Sequence, residues 1–159
     1  MTVHKPRLTV DKVDHGATRA VLAMETYVRS GKLERPLLEL VRIRASQING
    51  CAFCLDMHHR DAREAGEAQR RLDVLSAWHE TDGLFSEREE AALALTEAVT
   101  RIADGGVAED VWQSAAAQFT EEELVQLLMA IATINVWNRL AVSTRQQIPD
   151  TSPESGTES

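Results

Sequence analysis

Residues 39–59 read ELVRIRASQINGCAFCLDMHH, and the break in the middle of that stretch decides the fold. Upstream of the break, Pro36 suits the first turn of a helix that runs to about Ile48 and stops at Asn49-Gly50. Leu37, Val41, Arg44 and Ile48 share one face of that helix. Leu38, Leu40 and Ile43 extend the apolar surface almost all the way round, so the helix is buried on most sides. Downstream, a second helix opens at Cys51 and Cys54 and runs to Glu64 or Ala65, ended by Gly66. A helix hairpin with two thiols at its bend is the starting point of an all-α reading.

The rest of the chain repeats the helical period. Residues 15–29 carry Val21, Met24 and Val28 at helical spacing and end at Ser30-Gly31. Residues 67–79 carry Leu72, Leu75 and Trp78 in the same way. Ser86 with Glu89 forms a capping-box signature opening a helix through Ile102, before the break at Gly105-Gly106. A shorter helix spans 108–119. A second capping box, Thr120 with Glu123, opens a long helix over 121–146 that is apolar on nearly every side. Its breadth favours partial burial between subunits, the competing reading being central packing within one chain. Asn135, Asn138 and Arg139 interrupt that apolar surface, either lining a cleft or tying subunits together. Trp78, Trp112 and Trp137 read as core or interface rather than ligand platforms. The domain is therefore assigned to residues 1–148, and the polar, acidic stretch 149–159 to a disordered tail.

Composition excludes several classes of function. A chain of 159 residues is one domain long, and a net charge of -8 does not suit a partner held through its phosphates. The arginines 42, 44, 60, 63, 70 and 71 are interleaved with acids or apolar residues and read as helix surface and ion pairs. No stretch reaches the ~18 uninterrupted apolar residues of a membrane span. The start, MTVHKPRLTVDK, lacks a secretory signal, so a cytoplasmic, reducing setting is expected, with neither nucleic acid nor membrane as partner. There a Cys-x-x-Cys pair is catalytic or metal-binding rather than a structural staple.

At ~100° per residue, Cys51, Cys54 and His58 project within about 60° of one another, while Phe53 and His59 fall off that direction. Cys51 lies where a helix N-terminus favours thiolate, and His58, four residues after Cys54, can take that thiol's proton. Helix position favours Cys51 as the attacking sulfur and the histidine favours Cys54. Glu39, carried on the preceding helix, can reach back across the hairpin to orient His58. A buried carboxylate on so apolar a helix is costly unless paired. Such a Cys-His-Glu relay reduces the O–O bond of a hydroperoxide or the disulfide of a partner, and the second cysteine closes a disulfide. Two other readings use the same residues. Cys-x2-Cys-x3-His-His plus Glu39 could bind zinc, although structural zinc sites draw on two separated pairs and here there is one. The disulfide could also act as a non-enzymatic redox sensor that changes assembly. Two inert buried thiols are the plainest alternative.

The run Glu39-x11-Cys51-x-x-Cys54-x3-His58 resembles the core motif of the alkylhydroperoxidase D (AhpD-like) family, within the carboxymuconolactone decarboxylase superfamily. The similarity covers about 37–67 and extends to INVWNRLAVSTR in the last helix. The resemblance implies a compact multi-helix fold with a long C-terminal helix, assembled as a homo-oligomer, commonly a trimer or hexamer. It implies an alkylhydroperoxidase-like oxidoreductase with Glu39, Cys51, Cys54 and His58 as active residues. No bound cofactor or metal is implied; the reductant is an external, dihydrolipoamide-like dithiol, with a peroxiredoxin or lipoyl-protein as partner. Well-studied peroxidases of the family resemble Cys-x-His-Cys, and this chain has Phe53 in place of that histidine, which removes one proton carrier. The decarboxylase branch lacks the cysteine pair, so its lactone chemistry does not carry over.

Overall fold

The computed structural model describes residues 5–149, which form helices joined by short turns, with no strand among them. The helices are α1 (Val10–Val13), α2 (His15–Ser30), α3 (Arg35–Asn49), α4 (Ala52–Glu64), α5 (Gln69–Val74), α6 (Glu87–Thr100), α7 (Glu109–Gln118) and α8 (Glu121–Thr144). The all-α expectation is met. Of the stretch assigned to a tail, residues 150–159 lie outside the described residues, as do 1–4 at the other end.

The helix α3 is the centre of the molecule and packs against α4, α6 and α8. From Leu37 to Ser46 every residue of it is buried, polar ones included. Leu37, Leu38 and Val41 face α6 and α8 in one apolar cluster with Leu95, Leu127 and Ile131. Leu40 and Ile43 face the other way, toward Ala62, Leu72, Leu75, Phe85 and Leu93. The two sides of one helix thus supply both halves of the core. Arg42 and Arg44 correct the expectation of surface arginines: they are 3% and 8% exposed and ion-paired. Interleaving with apolar residues on a helix buried all round carries charged side chains inward, where they must find partners.

Helix boundaries follow their chemistry. Both capping boxes form, Ser86 with Glu89 and Thr120 with Glu123. The expected single helix over 67–79 is instead split. It tightens after Val74 into a 3-10 turn (Leu75–Glu80) with Ala77 off helical geometry. In that setting the indole N–H of Trp78 donates to Glu97 Oε1 on α6 at 2.9 Å. The one-turn α1 was not anticipated, being too short to show a period. At the end of α2, Gly31 meets the buried side chain of Gln126. The Gln126 Oε1 accepts from the backbone N–H groups of Lys32 and Leu33, and its Nε2 donates to the Val28 carbonyl. A Cβ on Gly31 would lie 2.1 Å from that amide, so glycine is required there by proximity rather than by its φ of -83°.

By length and composition α8 could cross a membrane. Here it packs along α2, α3 and α6, burying Leu124, Leu127, Ile131, Ile134 and Asn138 among others. Val125 and Val142, near its two ends, remain about half exposed, at 52% and 48%.

Candidate functional site

The site is built at the α3–α4 hairpin. Gly50 takes a left-handed conformation (φ 64°, ψ 37°) that an L side chain rarely adopts, and this turns the chain back immediately before Cys51. Cys51 is then the N-cap of α4 rather than a residue of its first turn, and its Sγ accepts from the Cys54 backbone N–H at 3.4 Å. The two sulfurs are 2.8 Å apart, free and buried. They sit in a small cluster with Ala45 of α3 and with Ile134 and Ala141 of α8, flanked by Phe53 and Trp137.

The structure forms two pairs out of the four expected site residues. Besides the sulfur pair, His58 Nδ1 lies 2.8 Å from Glu39 Oε2, both side chains almost fully buried. With the carboxylate ionised, Nδ1 must carry the proton, so neutral His58 presents Nε2 as an acceptor. That Nε2 is buried and has no hydrogen-bond partner among the described residues. No hydrogen bond joins His58 to either sulfur; the pairs meet at a cavity of about 230 Å³ whose wall includes Cys54 and His58. Its other walls are largely apolar, with Leu22, Phe53, Met57 and Trp137, while Glu25, Arg29 and Asp61 are its charged residues. Phe53, which helical projection turned away from the site, therefore lines the same cavity as Cys54. A cavity wall spans more arc than a single helix face. His59 is not part of it.

Cys51 opens elsewhere, onto a shallow hollow lined by Gly50, Ala52, Phe53, Val142 and Arg145. A hollow between the end of α2 and the start of α8, lined by Tyr27, Lys32, Glu122 and Gln126, is larger, about 420 Å³. It holds no thiol or imidazole, so the chemistry points to the smaller cavity.

Electrostatics separate the two thiols. The hydrogen bond from Cys54 lowers Cys51 to about 7 despite burial, with help from the Cys54 and Phe53 backbone N–H groups and the Asn138 amide. The same hydrogen bond between the thiols, burial and the Cys51 charge push Cys54 well above the ordinary thiol range. The pair thus loses its first proton from Cys51, as a helix N-terminus favours. Burial alone would raise the Glu39 carboxyl, but His58 and Arg42 outweigh it and hold it below its usual value.

Sequence reasoning missed Arg42. Its guanidinium donates to Glu39 Oε1 at 2.8 Å and to Glu25 Oε2 at 2.9 Å, so a buried cation sits between two carboxylates behind His58. The signal was present: Arg42 follows Glu39 by three residues, one helical turn, on a helix with no solvent-facing side. Among the described residues, the ligand-type atoms that converge within 4.8 Å are those of Glu39, His58 and Asp61, without either sulfur. The zinc reading relied on the thiols, and the Arg42 charge beside Glu39 opposes a cation there.

Comparison with known proteins extends this picture. The profile of the Carboxymuconolactone decarboxylase family matches residues 16–98. The uncharacterized protein YdfG of Bacillus subtilis (strain 168) is 40% identical over 125 residues, 79% of this chain and 84% of YdfG. A crystal structure from Agrobacterium tumefaciens, of a protein of unknown function with a suggested role as antioxidant defence protein AhpD, superposes with a TM-score of 0.88. It is 41% identical, over 91% of this chain and 99% of that one. An uncharacterized peroxidase-related protein from Ralstonia eutropha JMP134, with an alkylhydroperoxidase AhpD core, shares the fold at a TM-score of 0.77. It is 19% identical, over 89% of this chain and 75% of that one.

Proposed function

The chain belongs to the carboxymuconolactone decarboxylase family and is AhpD-like within it, and from that premise we propose that it is a thiol oxidoreductase cycling Cys51 and Cys54 between dithiol and disulfide. The observation that carries the reading is the shared cavity wall: Cys54 and the unpartnered Nε2 of His58 border one apolar cavity, next to a Cys51 thiol lowered to about 7.

In this mechanism an organic hydroperoxide enters the cavity, whose volume and apolar walls suit a substrate larger than hydrogen peroxide. The Cys54 proton passes to Cys51 along their hydrogen bond or to His58 Nε2. The Cys54 thiolate attacks the terminal oxygen, and the O–O bond breaks. Cys54 becomes a sulfenic acid, and the departing alkoxide takes a proton to leave as alcohol. Cys51, again as thiolate, attacks the Cys54 sulfur, a disulfide forms, and hydroxide leaves as water with a second proton. The one thiol proton of the Cys51-thiolate pair, one proton from solvent and two electrons from the sulfurs thus convert hydroperoxide to alcohol and water. Glu39, held ionised by Arg42, keeps Nδ1–H in place and stabilises the imidazolium while it carries a proton. An external dithiol, dihydrolipoamide-like or presented by a lipoyl-protein, then reduces the disulfide by exchange. A partner disulfide such as that of a peroxiredoxin can replace the hydroperoxide as oxidant. The resemblance to AhpD-like proteins supports a cytoplasmic setting, where thiols are kept reduced, and assembly into a homo-oligomer.

The test is mass spectrometry of trapped thiols before and after one equivalent of an organic hydroperoxide, alongside turnover with a dithiol. The reading requires a Cys51–Cys54 disulfide, a sulfenic acid at Cys54 when Cys51 is replaced by serine, and turnover lost in either Cys→Ser variant. Oxidation that alters assembly without any turnover would instead establish a redox sensor.

A further inference from the structure

We propose that Asn138 is a catalytic residue of the dithiol site: its carboxamide N–H is the fixed donor that holds negative charge on the Cys51–Cys54 pair, aimed there by Ser46 and Asn49. The inference rests on the dithiol reading of the site.

Asn138 projects from α8 between Ile134 and Ala141, which pack on the two cysteines, and it is 1% exposed. A buried carboxamide can face a sulfur with either its donor or its acceptor, and the two have opposite effects on a thiolate. Here the hydrogen-bond network decides which. The Ser46 hydroxyl spends its single hydrogen on the Arg42 carbonyl at 2.7 Å. Its oxygen can therefore only accept, and it accepts from Asn138 Nδ2 at 3.0 Å. On the other side, Asn138 Oδ1 accepts from Asn49 Nδ2 at 2.9 Å. The same Asn49 Nδ2 donates to Asn135 Oδ1 at 3.0 Å.

Asn135 is fixed in turn by groups that cannot exchange roles. Its Nδ2 donates to the Ile131 carbonyl, which only accepts, and its Oδ1 receives Arg139 Nη1, which only donates. Rotating the Asn138 amide by half a turn would set acceptor against acceptor at Ser46 and donor against donor at Asn49. The chain from Arg139 to the Arg42 carbonyl thus leaves one Asn138 N–H unclaimed by oxygen, on the stretch of α8 whose Ile134 and Ala141 pack on both cysteines, where the amide lowers both thiols. A tie between α3 and α8 would need only the Ser46 and Asn49 bonds. The remaining N–H serves the thiols.

The measurement is the ultraviolet thiolate absorbance of fully reduced, full-length protein as a function of pH. It is made for wild type, Asn138→Leu and Asn49→Ala, with helical circular dichroism as the folding control. Asn138→Leu keeps a similar volume without a donor and is expected to raise the midpoint of the first thiol ionisation by about one pH unit, an ionisation constant roughly tenfold smaller. Asn49→Ala leaves Asn138 in place but releases its amide, so the midpoint moves the same way by less. The other ionisable groups around the pair are Glu25, Arg29, His58 and Asp61 at the cavity and Arg145 beside Cys51. None is altered by these substitutions. If Asn138→Leu does not fold, Asn49→Ala decides by the same criterion. A folded variant with the wild-type midpoint overturns the inference, whereas a purely structural role would lower stability and leave the titration still. The readout needs no turnover. A shifted midpoint in a protein that never consumes hydroperoxide or disulfide would sink the dithiol reading alone, and an unmoved midpoint in an active enzyme would sink only this one.

Discussion

Replacing Arg42 by methionine tests whether the site is held by buried charge. Arg42 is 3% exposed, and its two nitrogens reach Glu39 and Glu25 at 2.8 and 2.9 Å. Methionine fills a similar space but leaves the buried Glu39 with His58 as its remaining partner and Glu25, on the cavity wall, with Arg29. Removing one partner of a buried ion pair costs about 3–5 kcal/mol, because the other charge stays desolvated. The sign with pH follows from Glu39. In wild type its folded carboxyl lies below the ordinary glutamate value, so its contribution is present above that value and is lost as pH falls through the lower, folded one. Without Arg42 the folded carboxyl loses a cause that lowers it, while burial still raises it. The penalty is therefore largest at neutral pH and shrinks toward pH ~4, as the Glu39 carboxyl of the variant, no longer held down by Arg42, takes up a proton before that of wild type. Urea unfolding of wild type and Arg42→Met at pH 7 and pH 4 measures both. The double variant Arg42→Met/Glu39→Gln should lose less than the sum of the singles, since the orphaned charge is gone. A loss below about 1 kcal/mol at pH 7, or one that persists undiminished at pH 4, would refute the argument.

Glu39→Gln preserves shape but not charge and should slow dithiol-dependent hydroperoxide turnover about 100-fold with little change in KM, read by steady-state kinetics. Oxidation of the wild-type dithiol by limiting hydroperoxide should speed up as pH rises through about 7 and then level off, because Cys51 ionises there; a stopped-flow profile flat between pH 6 and 8 would contradict this. Gly31→Ala drives a Cβ to 2.1 Å from the Gln126 amide, and thermal unfolding should show a loss of about 1–3 kcal/mol without change in thiol reactivity. Thr120→Ala removes the side chain that accepts the Glu123 N–H at the start of α8 and should cost about 1 kcal/mol in the same assay.

The parts of this molecule written in local sequence were readable in advance. Asn49-Gly50, the capping residues Ser86 and Thr120, and the apolar period of α3 and α8 each act within a turn or two of their own position. The meeting of Glu39 with His58 could be anticipated from the hairpin, since both residues lie within about three turns of its bend. What escaped notice depends on elements far apart in the chain. Glu25 reaches Arg42 from α2, and Asn138 reaches Ser46 from 92 residues away. A single chain gives no register between such helices. Phe53 was misplaced because projection on an ideal helix describes directions from one axis, whereas the cavity is enclosed by α2, α4 and α8. The split after Val74 has no local breaker at all; it accompanies the Trp78–Glu97 bond on another helix.

Trp137 lies against the cluster that contains both sulfurs, whereas Trp78 and Trp112 pack in the two other clusters of the core. The protein therefore carries its own optical gauge of oxidation. Thiolate, thiol and disulfide differ in how strongly they quench a neighbouring indole, so closing the Cys51–Cys54 bond registers in the emission of one tryptophan while the other two provide a steady background. The proposed dithiol–disulfide cycle can thus be tested in real time on the unmodified chain, with no coupled enzyme and no added label.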